Sequence, residues 1–318
     1  MRHVLVLGYS NIVQRRALAA MAQANVSHVD VATLSQATAV ALPEGMTGQV
    51  FDDYATALGK SGAELAYIST VNSNHASLAA MALEHGLHVV VEKPVATSFA
   101  DAEKLLETAD RKNLCLAEAT VYPYHPQIQA ARDVFSRIGA EPTRILATFT
   151  FPPLPEGNFR YKPELGGGSL LDQGAYAVSP GRLFFGREPE DVTCRVLESR
   201  DGVDLSFCML ADYGQGKSMV GQFSFNTGYR NRLDLLGPST TVTIDRIFTP
   251  TPDFSIDLQV NQNNTPETVS LEPADTFANF FAAVLQAIEN KDHGGLARDL
   301  LMDARTLDRM RRSAGVIS

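Results

Sequence analysis

The first third of the chain alternates short apolar runs with segments in which apolar residues recur at helical spacing. The short runs are rich in β-branched residues and lie at 3–7, 28–33, 65–70, 87–92 and 114–119. Segments 75–86 and 98–112 have helical spacing, and the second opens with Ser98 and Asp101 in capping-box spacing. This alternation predicts βαβ units around a doubly wound parallel sheet, the signature of an α/β domain.

Beyond about residue 143 the pattern changes to longer runs in which apolar and polar residues alternate. They predict the strands of one open antiparallel sheet, at 144–151, 191–199, 205–213, 217–226, 232–237 and 240–248. Helical spacing returns at 275–290, which carries a stripe of aromatic residues typical of a core, and near 296–312. We therefore predict an α/β domain at residues 1–120 and an α+β domain at residues 121–318.

The second sheet is also predicted to mediate self-association. Its alternating apolar residues, such as Val220, Phe223 and Phe225, leave one face that a second copy of the chain would cover. We expect a homodimer or a homotetramer.

Composition narrows the possible partners of this chain of 318 residues. Its formal net charge of -9 gives no basic stripe, so we expect no nucleic-acid partner. No apolar run is long enough for a signal peptide core or a membrane span, so we expect a cytoplasmic protein. Three cysteines without CxxC spacing argue against a disulfide framework and a zinc ribbon, and we predict no bound metal.

The first predicted strand leads into a glycine turn and then a helix, the context of a dinucleotide-binding site. Of the three glycine positions of GxGxxG, Gly8 is kept, Ser10 takes the second and Val13 takes the third. A single glycine after a strand is weak by itself, since many such turns bind no ligand, but the series of five strands strengthens the interpretation. We predict that Gly8, Ser10, Asn11 and Ile12 bind a dinucleotide.

The end of the second strand predicts which dinucleotide is bound. An acid there would bind the ribose 2'-hydroxyl and repel a 2'-phosphate, but this chain has Thr33 and Ser35 and no carboxylate. Hydroxyl donors favour NADPH, and Arg15 or Arg16 could pair with the phosphate. The alternative is that both arginines are ordinary solvated helix residues. We predict NADP as cofactor, with NAD less favoured.

Two further segments carry residues suited to chemistry. Lys93 ends a buried strand directly before Pro94, which biases it towards extended backbone and the carboxyl edge of the sheet. Three glycines at 166–168 precede a helix that places Asp172 and Tyr176, four residues apart, on one face. Taken singly, each has a purely structural interpretation: Lys93 as a surface charge, Asp172 as a helix cap and Tyr176 as a packed ring.

The pairing of EKP at 92–94 with GGGSLLDQGAY at 166–176 resembles the Gfo/Idh/MocA oxidoreductase family over nearly the full chain. The segment STVNSNHASLA at 69–79 is similar to that family's Thr-Pro-Asn...His stretch, with Val71 replacing proline. The resemblance implies a Rossmann domain joined to an open-sheet domain. It adds further residues to the cofactor site, namely Thr70, Asn72, His75, Glu92 and Lys93.

Most of the family carries histidine where this chain has Tyr176, so the resemblance indicates a tyrosine subgroup. Within it, the segments 125–127, 149–176 and 245–252 resemble nucleotide-diphosphohexose (dTDP-sugar) 3-ketoreductases of deoxysugar biosynthesis. This likeness implies NADPH-dependent reduction of the C-3 ketone of a nucleotide-linked keto-deoxyhexose. The substrate-binding residues expected are His125, Arg160, Tyr161 and Asp172.

Reducing a ketone requires a hydride on carbon and a proton on oxygen, so a proton donor must lie within hydrogen-bond reach of the carbonyl. Tyr176 is the candidate donor. The ammonium of Lys93 would favour the phenolate, make Tyr176 a better acid and polarise the carbonyl. Asp172 would orient Lys93 or a sugar hydroxyl.

Two other functions stay open. Relatives in the tyrosine subgroup resemble xylose or trans-dihydrodiol dehydrogenases, which use NADP but have no need of charge for a diphosphate, such as Arg160 could provide. The other is a regulatory protein that binds NADP without turnover. Loss of Lys93 or Tyr176 would mark such a protein, and both are present.

Overall fold

The computed structural model describes residues 3–34 and 40–317, and these form two compact units. The first unit comprises residues up to 121 together with 277–301, and the second comprises 122–276 together with the residues after 301. The sequence-based domains were continuous ranges. The segment 277–301 returns to the first unit because it packs there, with the ring of Phe281 5.4 Å from that of Tyr67.

Among the described residues, six strands form the parallel sheet of the first unit, in the order β3-β2-β1-β4-β5-β6. They are β1 His3–Leu7, β2 His28–Ala32, β3 Val50–Phe51, β4 Leu65–Ile68, β5 His88–Val91 and β6 Leu116–Glu118. The five predicted strands are confirmed, and all strand pairs are parallel. The additional strand β3 has two residues, too few to show a periodic pattern.

Helices connect these strands, and the predicted ones are confirmed with shifted ends. They are α1 Leu18–Gln23, which continues a π-helical segment Val13–Ala17, α2 Tyr54–Lys60, α3 Asn72–Glu84 and α4 Phe99–Lys112. The predicted N-cap of α4 is confirmed, since Ser98 Oγ accepts the Asp101 N–H at 3.1 Å, and the same hydroxyl donates to the Asp101 carboxylate at 2.7 Å. Strand order reverses between β1 and β4, which opens a crevice at their carboxyl ends.

The sheet of the second unit has eight strands among the described residues, in the order β14-β13-β12-β11-β7-β10-β9-β8. They are β7 Arg144–Thr150, β8 Asp191–Arg200, β9 Val203–Asp212, β10 Ser218–Ser224, β11 Arg230–Leu236, β12 Thr240–Asp245, β13 Ile256–Gln262 and β14 Thr265–Leu271. The six predicted strands are confirmed. The prediction of an antiparallel sheet holds except for β7 and β10, which pair in parallel because β10 inserts between β7 and β9.

Four further α-helices occur among the described residues: α5 Pro126–Ser136, α6 Ser169–Phe185, α7 Thr276–Glu289 and α8 Gly294–Ser313. Helix α6 packs on the inner face of the second sheet, where Gln173 Nε2 donates to the Phe149 carbonyl at 2.8 Å. A bidentate ion pair joins α6 to α8: Arg182 Nε and Nη2 donate to Asp303 Oδ1 and Oδ2 at 2.8 and 2.7 Å. Helix α6 is therefore held on both sides.

The alternation of β10 corrects part of the predicted association surface. Phe223 and Phe225 are buried, whereas Val220 is exposed. Phe223 faces the core, while Phe225 follows the end of β10 and packs in a small cluster with Val203 and Leu205. The grouping of these three residues on one face is therefore wrong, because Val220 and Phe223 are three residues apart on β10 and lie on opposite faces.

An exposed apolar row does cross the outer face of three adjacent strands. Leu146 on β7 and Leu210 on β9 are each in register with Val220 on β10, and all three are exposed. We call Leu146, Val220 and Leu210 the outer row.

Every helix in the part of the chain that is described is too short or too polar to cross a membrane.

Candidate active site

The turn after β1 lies at the crevice where the strand order reverses. Gly8 has φ of +97° and donates its N–H to the Ala32 carbonyl at 2.9 Å. A Cβ at this position would collide with the carbonyl oxygen of Ser69 at the end of β4. The close approach of two strand ends therefore requires the one glycine of the fingerprint that the sequence keeps.

The serine in the second glycine position caps the helical segment that follows. Ser10 Oγ accepts the Val13 N–H at 3.3 Å and lies 2.7 Å from Ser69 Oγ. Val13 is buried, so the third fingerprint position packs an apolar side chain where other turns have glycine. Ile12 is half-buried, and Asn11 is exposed.

The predicted phosphate-binding residues have different surroundings. Arg15 is exposed near the start of the helix, whereas Arg16 is half-buried over the ring of Phe277 at 5.1 Å. Thr33 is half-buried at the end of β2 and donates its N–H to the Phe51 carbonyl at 2.9 Å. Ser35 lies outside the described residues.

The turn that carries Lys93 is held on both sides. His75 Nδ1 donates to the Pro94 carbonyl at 2.7 Å, and the Val95 N–H donates to Glu118 Oε2 at 2.8 Å. The other oxygen of Glu118 accepts from the Thr120 hydroxyl at 2.8 Å. Sequence analysis missed Glu118, although an acid at the end of a buried strand run was the available signal.

Burial controls the charge state of the groups around this turn. It lowers the pKa of His75, and the nearby charge of Lys93 adds to that effect, while hydrogen bonds to the Pro94 and Thr70 carbonyls oppose it. Burial therefore favours the neutral imidazole, whose single N–H is directed from Nδ1 to the nearer carbonyl, that of Pro94. Asn72 is buried at the first position of the same helix, α3.

Glu92 is the second acid beside the turn. Burial raises the pKa of its carboxyl, against the opposing effects of the Tyr67 hydroxyl and the Lys93 charge. The Tyr67 hydroxyl donates to Glu92 Oε1, and burial together with this carboxylate holds the pKa of Tyr67 well above its ordinary value. Tyr67, also missed from sequence, therefore orients the Glu92 carboxyl.

In the second unit, the glycine run shapes the start of α6. Gly168 has φ of +109°, and a Cβ there would collide with the Asp204 carboxylate. Asp204 Oδ2 accepts the Leu170 N–H at 2.6 Å and so caps the helix from strand β9. Burial raises the pKa of Asp204, although the backbone hydrogen bond from Leu170 opposes this.

The structure joins two residues to which the sequence assigned separate roles. Arg160 Nε lies 2.9 Å from Oδ2 of Asp172, whose side chain is buried. The pKa of Arg160 is raised: burial acts to lower it, but the attraction of Asp172 outweighs burial, and Tyr176 adds a further attraction. Arg160, Asp172 and Tyr176 therefore form one electrostatic group in the second unit.

Aromatic rings fix the position of Tyr176. Its ring is half-buried with centroids 6.1, 5.2 and 5.0 Å from those of Tyr122, Phe149 and Phe248. Tyr161 lies elsewhere in this unit and uses its hydroxyl to accept the Leu154 N–H at 2.9 Å. Tyr161 therefore holds its own loop.

His125 is the cap of helix α5, and it is buried. Its Nδ1 accepts the Gln127 N–H at 3.1 Å, which requires the neutral ring to carry its proton on Nε2. Burial lowers the pKa of His125, which favours this neutral form. Among the described residues, Nε2 has no hydrogen-bond partner.

Two family models match successive parts of the chain. Residues 2–120 match the family described as "Oxidoreductase family, NAD-binding Rossmann fold", and residues 134–243 match the "GFO/IDH/MocA C-terminal domain". The dTDP-3,4-didehydro-2,6-dideoxy-alpha-D-glucose 3-reductase of Streptomyces violaceoruber is 30% identical, over 98% of this chain and 95% of that protein. The D-xylose 1-dehydrogenase (NADP(+)) 2 of Haloferax volcanii is 26% identical, over 97% of this chain and 96% of that protein.

A solved structure extends the likeness to the fold. The 3-ketoreductase of Actinomadura kijaniata, in complex with NADP and TDP-benzene, has a TM-score of 0.91 and 29% identity. The match covers 98% of this chain and 97% of that one. With both parts of its length matched and a relative at 30% identity over nearly the whole chain, the protein belongs to the Gfo/Idh/MocA oxidoreductase family.

Proposed function

We propose that the chain reduces the C-3 ketone of a nucleotide-linked keto-deoxyhexose with NADPH. The observation that carries this proposal is similarity along nearly the whole length to a dTDP-sugar 3-reductase and to a 3-ketoreductase solved with NADP and a TDP ligand. Family membership alone does not identify a substrate. The residues of the second unit supply the further argument.

The residues of the first unit fit a dinucleotide. The tight Gly8 turn leads from β1 into a helical segment at the reversal of strand order, where backbone N–H groups favour a pyrophosphate. No carboxylate occurs between Thr33 and Ala39, and the exposed Arg15 is free of the ring that covers Arg16. We propose that Arg15 pairs with the 2'-phosphate. When bound, NADPH supplies the hydride.

Tyr176 is proposed to supply the proton. As the ketone carbon receives the hydride, the phenol O–H bond breaks, and its proton passes to the carbonyl oxygen to give the alcohol. The resulting phenolate is stabilised by Arg160, whose guanidinium already interacts electrostatically with Tyr176. Asp172 holds that guanidinium at 2.9 Å, which makes it a positioning residue for Arg160. We further propose, as the sequence predicted, that Lys93 is a second cation that polarises the substrate carbonyl.

His125 is proposed to donate a hydrogen bond to the substrate. Its Nε2 proton is buried without a partner among the described residues, and an unpaired buried donor is costly. A sugar or phosphate oxygen would satisfy it.

The second candidate function is oxidation of a free sugar, which the xylose dehydrogenase relative supports. That relative is less similar to this chain than the dTDP-sugar reductase. The two functions differ in whether turnover requires the nucleotide, so kcat/KM for a sugar nucleotide against the free sugar separates them. A regulatory protein without turnover would process neither.

The first prediction is that NADPH binds more tightly than NADH. Arg15→Ser should weaken NADPH binding by roughly 10-fold, since a charge-assisted contact to phosphate is lost. Binding of NADH should not change, which makes it the internal control. Fluorescence titration of both cofactors measures the dissociation constants, and equal or tighter binding of NADH by the wild type would contradict the assignment.

The second prediction concerns the proton donor. Tyr176→Phe keeps the ring packing but removes the proton, so kcat should fall by roughly 100-fold or more with little change in cofactor affinity. The exposed Tyr229, changed to phenylalanine, is the matched control and should retain its kcat.

Lys93→Met tests the source of the acidity. In the proposal, the Lys93 ammonium favours the phenolate and so lowers the pKa of Tyr176. As the pH rises, the wild type should therefore lose the donor proton, and with it turnover, at a lower pH than the variant does. The pH profile of kcat measures this shift. Wild-type turnover by Tyr176→Phe at every pH, with none by Lys93→Met, would identify the lysine as the acid.

The third prediction tests the separate roles of the two His125 nitrogens, the cap at Nδ1 and the proposed substrate contact at Nε2. Asparagine at this position can still cap α5 but lacks the Nε2 donor, so His125→Asn should keep the melting temperature and raise KM for the sugar nucleotide about 5-fold. His125→Phe, which loses both functions, should lower the melting temperature as well. An unchanged KM in the asparagine variant would exclude substrate contact by Nε2.

The fourth prediction is self-association through the outer row. A contiguous apolar row on three strands is a surface that a second copy of the chain would cover, giving a homodimer or homotetramer. Leu210→Glu should dissociate the assembly, while Val316→Glu, also at an exposed apolar position, should not. Light scattering measures the mass, and a monomeric wild type at micromolar concentration would refute the proposal.

A further inference from the structure

Two histidines and a buried aspartate meet at the amino ends of β1 and β2. His3 and His28 are register partners on these strands, and Asp30 lies two residues after His28, on the same side of β2. One nitrogen from each ring and one carboxylate oxygen lie within 4.8 Å of one another. Neither the proposed reduction nor the family assignment uses these residues.

The distances between these atoms suit metal ligands. His3 Nε2 is 3.0 Å from Asp30 Oδ2, and His28 Nε2 is 3.2 Å from Asp30 Oδ1. Ligands at about 2.0–2.1 Å from a tetrahedral metal ion lie roughly 3.3 Å from one another. Small side-chain rotations would therefore bring all three donors onto one ion.

The surroundings provide both the charge and the access that a metal ion needs. The Asp30 side chain is 0% exposed, while those of His3 and His28 are 23% and 36% exposed. The carboxylate oxygens of Asp30 face the two imidazoles, and one of them also accepts the Gln49 N–H. A buried negative charge with two solvent-accessible imidazoles attracts a cation.

Outer hydrogen bonds hold the ligands in place. The Gln49 N–H donates to Asp30 Oδ1 at 2.7 Å, and His28 Nδ1 lies 2.8 Å from Thr47 Oγ1. A metal-binding imidazole typically donates the N–H of its second nitrogen to a nearby acceptor. If His28 Nδ1–H donates to Thr47, Nε2 is unprotonated and can bind the metal. Thr47 Oγ1 can accept a hydrogen bond from His28 Nδ1 because its own proton is directed to the Ser27 carbonyl at 3.4 Å.

We propose that His3, His28 and Asp30 bind a divalent transition-metal ion of the zinc class, with water completing the coordination. Two imidazoles and one carboxylate favour such an ion over magnesium or calcium, which prefer oxygen ligands. The site is structural: it fastens β1 to β2 and to the segment that contains Thr47 and Gln49. It lies a whole strand away from Gly8, roughly 16 Å for five extended residues, so it is independent of the proposed reduction.

The proposed site differs from the sequence-based expectation of no metal, which stays untested. That expectation rested on cysteine spacing, whereas this donor set depends on the pairing of two strands. His3 and Asp30 are 27 residues apart, and only the register of β1 with β2 brings them together.

Metal titration of the full-length protein tests the proposal. After treatment with a chelator and dialysis, Co²⁺ should produce the visible absorption of a four- or five-coordinate site, and calorimetry with Zn²⁺ should show one ion per chain. His28→Gln should weaken Zn²⁺ binding by roughly 100-fold, and Thr47→Val by roughly 10-fold. Mg²⁺ should not compete.

Controls keep the result specific. His293→Gln changes a half-buried histidine that faces His88 at 6.3 Å, and it should leave binding unchanged. If His28→Gln does not fold, as judged by circular dichroism, His3→Gln replaces it. Binding that survives both substitutions, or no binding by the wild type at millimolar Zn²⁺, overturns the proposal and leaves a hydrogen-bonded cluster only. Cofactor binding by the metal-free protein should equal that of the untreated protein.

Discussion

A buried carboxylate must find hydrogen-bond donors or an opposite charge, and this constraint organises both units of the protein. Asp204 finds the first N–H groups of α6, and Glu118 finds the backbone of the turn after Lys93. Glu92 accepts from the Tyr67 hydroxyl, and Asp172 pairs with a guanidinium. Each acid thereby fixes the element that carries a proposed functional residue.

The consequence is clearest for helix α6. Its first turn is closed by Asp204 from a neighbouring strand, so the helix starts at a defined position. Asp172 and Tyr176 then lie one turn apart, with Arg160 bound to the first and electrostatically coupled to the second. The ring of Tyr176 is confined by Phe149 and other aromatic rings, so the phenol is held rigidly before any substrate arrives.

Much of the fold could be predicted from local pattern. Eleven of the fourteen described strands were predicted with each end within three residues, whereas β3, β13 and β14 were missed. The cap of α4 formed as Ser98 and Asp101 indicated. The errors have different causes, since β13 has the alternation of a half-buried strand and was nevertheless not predicted. Strand β14 is largely exposed and carries little apolar alternation. On β10, Val220 was grouped with Phe223 although residues three apart on a strand face opposite sides.

The sequence by itself determined the two kinds of sheet, the helix-spaced Asp172 and Tyr176, and the glycine turn at Gly8, because periodicity, capping and backbone freedom are local properties. Only the tertiary structure decided the partners of the buried polar groups. Arg160 binds Asp172, and His3 meets Asp30, through loop paths and strand register that connect distant parts of the chain. Hydrogen bonding and charge act over a few ångströms in space, and sequence periodicity carries no measure of that distance.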